Sequence, residues 1–327
     1  MSTNPMEYIW PGIVVSQAIY AATKLGIPDL LALGPRSVAE LASDTHTNAS
    51  SLERLLRVLS GFEFFAPTLD GRFSNTPLSE TLRSDHPQSQ RSAALFLPSA
   101  FLWRPLGELY QSIRTGEPAF ARVFGERFFD YLASHPDDAS VFNTVMTQGV
   151  PWTSSALLAA YDFSRFSLLV DVGGGEGALL RDILSANPEL RGLLFDLPQV
   201  VGRANVLLTG DLGRRCQVVG GNFFDFVPGQ GDAYILKGVI HDWPDEDAAK
   251  ILQNIRRVIP SDGALLLIEN IVDSGHRPVG PIELLMLVIG GCERTEAEFR
   301  SILATSGFAI SRMIQMEMSS VVECRPR

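Results

Sequence analysis

The stretch Ser167-Leu168-Leu169-Val170-Asp171-Val172-Gly173-Gly174-Gly175-Glu176-Gly177-Ala178-Leu179-Leu180 decides the fold of this chain. Its apolar run predicts a buried strand, its four glycines a tight loop, and the residues from Ala178 onward a helix. A strand, a glycine-rich turn and a helix in this order hold a nucleotide-like ligand at the carboxyl edge of a parallel sheet. Asp196 follows at the spacing of a carboxylate that meets a ribose diol. The stretch therefore predicts a nucleoside-binding α/β domain.

Predicted strands and helices alternate through the C-terminal half. The strands are Leu168–Val172, Gly192–Asp196, Cys216–Gly220, Ala233–Lys237 and Ala264–Asn270, with late strands near 308–314 and 318–324. The helices are Ala178–Ala186, Gln199–Leu208, Asp245–Val258 and Glu296–Thr305. This alternation predicts a Rossmann-like domain with a parallel-rich sheet and helices on both faces. Functional side chains should lie at the carboxyl ends of its strands.

The N-terminal part, residues 1–95, is predicted to be a separate winged-helix-like domain. A first helix covers 12–33 and closes near Gly26, Ser37 and Glu40 form a capping box for the second helix, and Asn48 caps the third. A hairpin then turns around residues 70–71.

Winged helices often bind DNA, but this one lacks the charge for it. The third predicted helix carries only Arg54 and Arg57, countered by Glu53. Phosphate contacts supply most of the affinity for DNA, so a packing or dimerisation module is favoured over a ligand-sensing DNA regulator.

Residues 96–160 are predicted to be helical and rich in aromatic side chains, followed by the ligand-binding domain over 161–327. Most of these aromatics are expected in the core, and some could face a pocket for a flat apolar substrate.

Composition excludes several classes of protein. The 327 residues carry a net charge of −10, which argues against binding to nucleic acid or anionic membrane. The three cysteines, Cys216, Cys292 and Cys324, are spaced neither as a disulfide framework nor as a metal site. No long apolar run or charged-then-apolar leader is present, so a cytoplasmic protein is expected.

Two ligands compete for the glycine loop. A nicotinamide dinucleotide, as in a dehydrogenase, would place its pyrophosphate at the helix N-terminus, where Asp171 and Glu176 would repel it. S-adenosylmethionine has no phosphate and carries a sulfonium and an ammonium group, which both carboxylates favour. The residues therefore favour the methyl donor.

Four segments resemble the metal-independent S-adenosylmethionine-dependent O-methyltransferases, the family of plant caffeate and hydroxyindole O-methyltransferases and bacterial tailoring enzymes. They are Asp171–Gly177, Phe195–Pro198, His241–Trp243 and Glu293–Thr295. The resemblance covers nearly the whole chain. It implies that the N-terminal domain forms a homodimer and that the substrate is a small aromatic molecule with a phenolic hydroxyl.

The resemblance also implies the catalytic residues. His241 is the general base that takes the proton of the acceptor hydroxyl, and Glu269 and Glu293 orient it. Two flanking carboxylates should raise the pKa of the imidazole.

The remaining site residues follow from the same resemblance. Those expected to bind the donor are Asp171, Gly173, Gly175, Asp196, Leu197, Asn222, Phe223 and Lys237. Those expected in the substrate pocket are Met146, Trp243 and Phe142. Asn222 departs from the family, which often has an acidic residue there to accept the adenine amine. No metal is expected. Methylation of nitrogen, or a non-methylating reaction on the same scaffold, stays open as the alternative.

Overall fold

The computed structural model describes residues 4–148, 150–204, 209–272, 280–317 and 319–327, and only the backbone of residues 148 and 150–153. The chain divides into two compact units. One runs up to Arg104 and includes Ser140–Val145, and the other comprises Pro105–Ala139 and Met146–Arg327.

The first unit contains the predicted helices and hairpin. Its elements are α1 (Met6–Lys24), α2 (Ile27–Leu30), α3 (Val38–Thr45), α4 (Ala49–Gly61), β1 (Phe65–Pro67), β2 (Phe73–Asn75), α5 (Pro77–Glu80) and α6 (Arg91–Phe96). Ser37 and Glu40 form the predicted capping box, and Asn48 accepts the Ser51 N–H at the start of α4. Local side-chain chemistry therefore sets both helix starts.

Helices follow up to residue 160, as predicted. They are α7 (Ala100–Gly107), α8 (Leu109–Thr115), α9 (Ala119–Phe124), α10 (Phe128–Ser134), α11 (Pro136–Gln148) and α12 (Val150–Ala160).

The second unit then alternates strands and helices. The elements are β3 (Leu168–Val172), α13 (Ala178–Ala186), β4 (Arg191–Asp196), α14 (Pro198–Val201), α15 (Gly210–Arg215), β5 (Cys216–Gly220), β6 (Ala233–Lys237), a 3₁₀ turn (Ile240–Asp242), α16 (Asp245–Val258), β7 (Ala264–Glu269), β8 (Ile271–Val272), α17 (Ile282–Ile289), β9 (Arg294–Thr295), α18 (Glu296–Thr305), β10 (Phe308–Gln315) and β11 (Ser320–Pro326).

The main sheet has seven strands in the order β10-β11-β7-β6-β3-β4-β5. All neighbours pair in parallel except β11, which is antiparallel to both β7 and β10. Successive residues of one strand, such as Leu266 and Leu267, point to opposite faces of the sheet and belong to different hydrophobic clusters. Both faces are covered, which explains the near-continuous apolar runs and confirms the α/β class.

Two helix predictions were wrong in extent. The first helix begins at Met6, not residue 12, and ends at Lys24, because Gly26 takes a left-handed φ of 70° and starts a separate turn of helix. The helix predicted over Gln199–Leu208 is the short α14, which ends at Val201; residues 205–208 of that prediction lie outside the described residues.

All three cysteines are free thiols. Among the described residues, no helix combines the length and apolarity needed to cross a bilayer.

Candidate functional site

The glycine loop after β3 is shaped around two carboxylates. Asp171 is buried at 1% exposure, and a Cβ on Gly174 would lie 2.5 Å from its Cγ, so only glycine fits there. Asp196 ends β4 and accepts the Gly175 N–H at 2.8 Å and the Leu197 N–H at 2.6 Å. The loop and the end of the neighbouring strand are thus held together by hydrogen bonds of Asp196.

Asp171 fits a ligand with cationic groups. Its Oδ2 has no hydrogen-bond partner among the described residues. Burial, with the charge of Asp196, raises the pKa of Asp171 to about 7, although Lys237 opposes the shift. A buried carboxylate with one unpartnered oxygen is stabilised by a positive ligand and would repel pyrophosphate. The residues present therefore fit S-adenosylmethionine better than a dinucleotide.

The other predicted donor-binding residues lie near the ends of β5 and β6. Asn222 accepts the Phe224 N–H at 2.9 Å through Oδ1, and its side-chain N–H groups take no part in that hydrogen bond. The ring of Phe223 lies 3.6 Å from where a Gly173 Cβ would be. Lys237 ends β6, and burial lowers its pKa against the opposing charges of Asp171 and Glu269.

His241 lies on the 3₁₀ turn that follows β6, and its Nδ1 faces two carboxylates. Glu269 Oε2 is 3.3 Å from Nδ1 and Glu293 Oε1 is 3.2 Å away, with both glutamate side chains almost wholly buried. His241 Nδ1, Glu269 Oε2 and Glu293 Oε2 have no well-directed hydrogen bond within the described chain, so the ring lies between the two carboxylates mainly through charge. The structure brings the three predicted catalytic residues together.

Glu269 also binds the backbone of the 3₁₀ turn, which the sequence did not indicate. Its Oε1 accepts the N–H of Ile240 at 2.9 Å and of Val239 at 3.2 Å. One carboxylate therefore fixes both the imidazole and the start of the turn that carries it.

The carboxylates control the protonation of His241. Burial opposes a charged imidazole, but Glu269, Glu293 and Asp242 outweigh it and raise the pKa of His241 to about 10. The expected rise is confirmed.

Sequence reasoning missed Asp242 as a site residue. Its Oδ1 lies 3.5 Å from His241 Nε2, whereas the two glutamates face Nδ1. Burial, offset by the His241 charge, raises the pKa of Asp242 to about 7. The only sequence signal is adjacency, and consecutive residues of a 3₁₀ turn point about 120° apart, so adjacency alone does not predict the contact.

The three predicted pocket residues have different surroundings. Trp243 is buried, stacks on Phe129 with ring centroids 5.0 Å apart, and lies under the guanidinium of Arg127. Phe142 packs its ring 5.8 Å from that of Phe96, and Met146 is 44% exposed. Among the described residues no group of three or more potential ligands is arranged to hold a metal ion.

Fold and site together define a class: this is an S-adenosylmethionine-dependent methyltransferase. More narrowly, the chain belongs to the O-methyltransferase family, since residues 103–309 match the O-methyltransferase domain and residues 7–85 match the O-methyltransferase dimerisation domain.

Comparisons with individual proteins point to the same family. The chain is 41% identical to phenazine O-methyltransferase PhzM of Lysobacter antibioticus, over 96% of this chain and 94% of that protein. It is 35% identical to 8-amino-8-demethylriboflavin N,N-dimethyltransferase of Streptomyces davaonensis, over 95% and 92%. The crystal structure of the O-methyltransferase NcsB1 from neocarzinostatin biosynthesis, in complex with S-adenosylmethionine and 2-hydroxy-5-methyl naphthoic acid, is similar with a TM-score of 0.86, 34% identity and 96% coverage of both chains.

The reaction class and the donor are thereby confirmed. The protein is an S-adenosylmethionine-dependent methyltransferase of the O-methyltransferase family, and its N-terminal domain is a dimerisation domain. Membership of this family argues against the regulator and dehydrogenase alternatives.

Proposed function

We propose that the enzyme methylates a phenolic hydroxyl of a small aromatic molecule, with His241 as the general base and Glu269 and Glu293 orienting it. The observation that carries the proposal is the position of Nδ1 between the two carboxylates. This position favours the tautomer with the proton on Nδ1, so Nε2 is the nitrogen that accepts a proton.

The charge around His241 suits a phenol. A phenolic hydroxyl ionises near pH 10, and the pKa of His241 is raised to about 10, so proton transfer between them is nearly balanced. Once the proton has moved, Glu269, Glu293 and Asp242 stabilise the imidazolium that results. When bound, the donor supplies a methyl group already activated on its sulfonium.

We assign the donor site to the residues around the glycine loop. Asp171 and the backbone of Gly173 and Gly175 would hold the cationic end of the donor, and Asp196 with Leu197 the ribose. Asn222, Phe223 and Lys237 would contact the remaining parts of the donor. The hydrogen bonds of Asp196 and the unpaired oxygen of Asp171 support this assignment.

We also infer that Trp243 and Met146 line the acceptor site. Support comes from NcsB1, whose structure contains a naphthoic acid. A flat aromatic acceptor suits the large apolar side chains at these positions.

Nitrogen methylation is the second candidate, since one relative is named as an N,N-dimethyltransferase. An aromatic amine is uncharged at neutral pH and needs no base before it attacks. The two glutamates on His241 therefore favour oxygen.

We further infer a cytoplasmic homodimer. Free thiols at all three cysteines suit a reducing compartment. Dimerisation through residues 1–95 is supported by apolar side chains on α1, where Tyr8, Trp10 and Ile13 are 63%, 67% and 54% exposed.

A matched pair of acceptors tests the reaction. 2-Naphthol and 2-naphthylamine differ only in the nucleophile, so each is incubated with the enzyme and donor and analysed by mass spectrometry for one added CH₂. The proposal expects a methyl ether from the naphthol and little product from the amine. Faster methylation of the amine would overturn it.

A further inference from the structure

The turn that carries His241 is tied at both ends. At its N-terminal end, the backbone N–H groups of Val239 and Ile240 donate to Glu269. At its C-terminal end, Arg294 donates to two backbone carbonyls, from Nη1 to Ile240 O at 2.8 Å and from Nη2 to Trp243 O at 2.7 Å. An anion meets the N–H end and a cation the carbonyl end, the arrangement a helical turn favours at each terminus.

Arg294 also reaches the helix that follows. Its Nε donates to Asp245 Oδ1 at 2.9 Å, at the first residue of α16. The Arg294 side chain is 2% exposed, whereas that of Asp245 is 75% exposed. The guanidinium thus connects the turn to α16 from a buried position.

The residues just before Arg294 also contact the turn that carries His241. Cys292 N–H donates to His241 O at 2.8 Å. A Cβ on Gly291 would lie 2.2 Å from His241 O, so only glycine permits this approach. Glu293 contacts the imidazole itself. Segment 291–294 therefore touches the backbone of His241 at two residues and its ring at a third.

We propose that Arg294 is a positioning residue for methyl transfer: it clamps the 240–245 backbone so that the His241 ring is held between Glu269 and Glu293. This inference rests on the proposed role of His241. Arg294 touches neither reacting atom, and its effect passes through the turn.

The chemistry of the side chain supports a clamp. A planar guanidinium presents several donors in a rigid fork and can reach two carbonyls and a carboxylate at once, while a lysine ammonium cannot reproduce that geometry. Burying a cation brings little net stability even when it is paired. A role in stability alone is therefore a weak explanation for a fully buried arginine here.

The test uses two variants and a matched control in the full-length enzyme. Arg294→Lys keeps the charge and loses the fork, and Arg294→Gln loses both. The control is Arg256→Lys, because Arg256 also donates to two carbonyls, Gly307 O at 3.2 Å and Arg327 O at 2.7 Å, and neither carbonyl belongs to the turn that carries His241.

Five quantities are measured for each protein. They are the melting temperature, the Kd for S-adenosylhomocysteine by calorimetry, kcat and KM for methyl transfer, and the His241 pKa by NMR of histidine-labelled protein with S-adenosylhomocysteine bound. His241→Gln identifies the resonance. The NMR titration does not depend on His241 being the base, so it separates failure of the clamp from failure of the proposed function.

The clamp predicts that both Arg294 variants lose kcat by about 100-fold, the cost of a misplacement near 1 Å, with Kd unchanged. It also predicts that the His241 pKa falls toward its ordinary value in both variants. The Arg256 control should lose melting temperature only. Full activity in Arg294→Lys would refute the need for a fork, and an unchanged His241 pKa in a folded variant would refute positioning altogether.

Discussion

Glu293→Gln is the perturbation that reports most fully on the charge around His241. The substitution keeps the size and an acceptor oxygen but removes one negative charge 3.2 Å from Nδ1, at a side chain 2% exposed. Glu269 and Asp242 remain. The imidazolium should therefore be less stabilised, and the pKa of His241 should fall from about 10 while staying above its usual value.

The size of the fall follows from the distance. Two unit charges 3.2 Å apart attract by ~5 kcal/mol at an effective dielectric constant of about 20. Burial and the dipole of the new amide reduce the net effect, so a drop of roughly 1 to 3 pH units is expected.

The assay is kcat/KM for a phenolic acceptor from pH 6 to pH 11. Only the neutral imidazole acts as a base, so activity rises with pH up to the pKa of the free enzyme and then levels off. In Glu293→Gln this rise should occur at lower pH. The level reached at high pH should be lower, because a weaker and less well-oriented base moves the proton more slowly.

Glu296→Gln is the matched control, since Glu296 lies three residues away, is half-exposed and pairs with Arg300. Its profile should equal that of the wild type. A Glu293→Gln profile that rises at the same pH as the wild type would refute the electrostatic reasoning.

Three further predictions concern the donor site and the dimer. Gly174→Ala should lower the free energy of unfolding by about 1–3 kcal/mol, measured by denaturant titration, since its Cβ would meet Asp171 and Leu194 at about 2.5 Å. Asn222→Asp should tighten S-adenosylhomocysteine binding about tenfold by calorimetry, because the carboxylate can accept from both Phe224 N–H and the adenine amine; unchanged affinity would remove Asn222 from the donor site. In sedimentation, the wild type should have twice the chain mass of 35.7 kDa and Trp10→Lys should dissociate; a monomeric wild type would refute the homodimer.

The sequence predicted what local patterns encode. The strand Leu168–Val172 and the helix Asp245–Val258 have the bounds that their apolar spacing indicates. The capping box of Ser37 is equally local. The carboxyl ends of parallel strands meet at one edge of the sheet. Topology alone therefore brings Asp196, Lys237 and Glu269, which each end a strand, to that edge.

What the sequence could not predict depends on contacts between distant segments. The hydrogen bond from Cys292 to His241 O joins residues about 50 apart, and no periodicity encodes it. The same holds for Arg294, which looks like an ordinary surface charge beside Glu293 until its burial is seen. The predicted first helix starts just after Pro11, whereas Pro11 lies inside α1, a position where proline ordinarily interrupts a helix.

His241→Ala, assayed with a series of phenols of decreasing pKa, tests the role of His241 most directly. A general base is worth about 10²–10⁴-fold, so the variant should lose that much activity with a phenol that ionises near pH 10. It should lose far less with a nitrophenol that is already ionised at the assay pH, and S-adenosylhomocysteine should bind as before. Equal losses across the series, or full activity with the least acidic phenol, would show that His241 does not take the acceptor's proton.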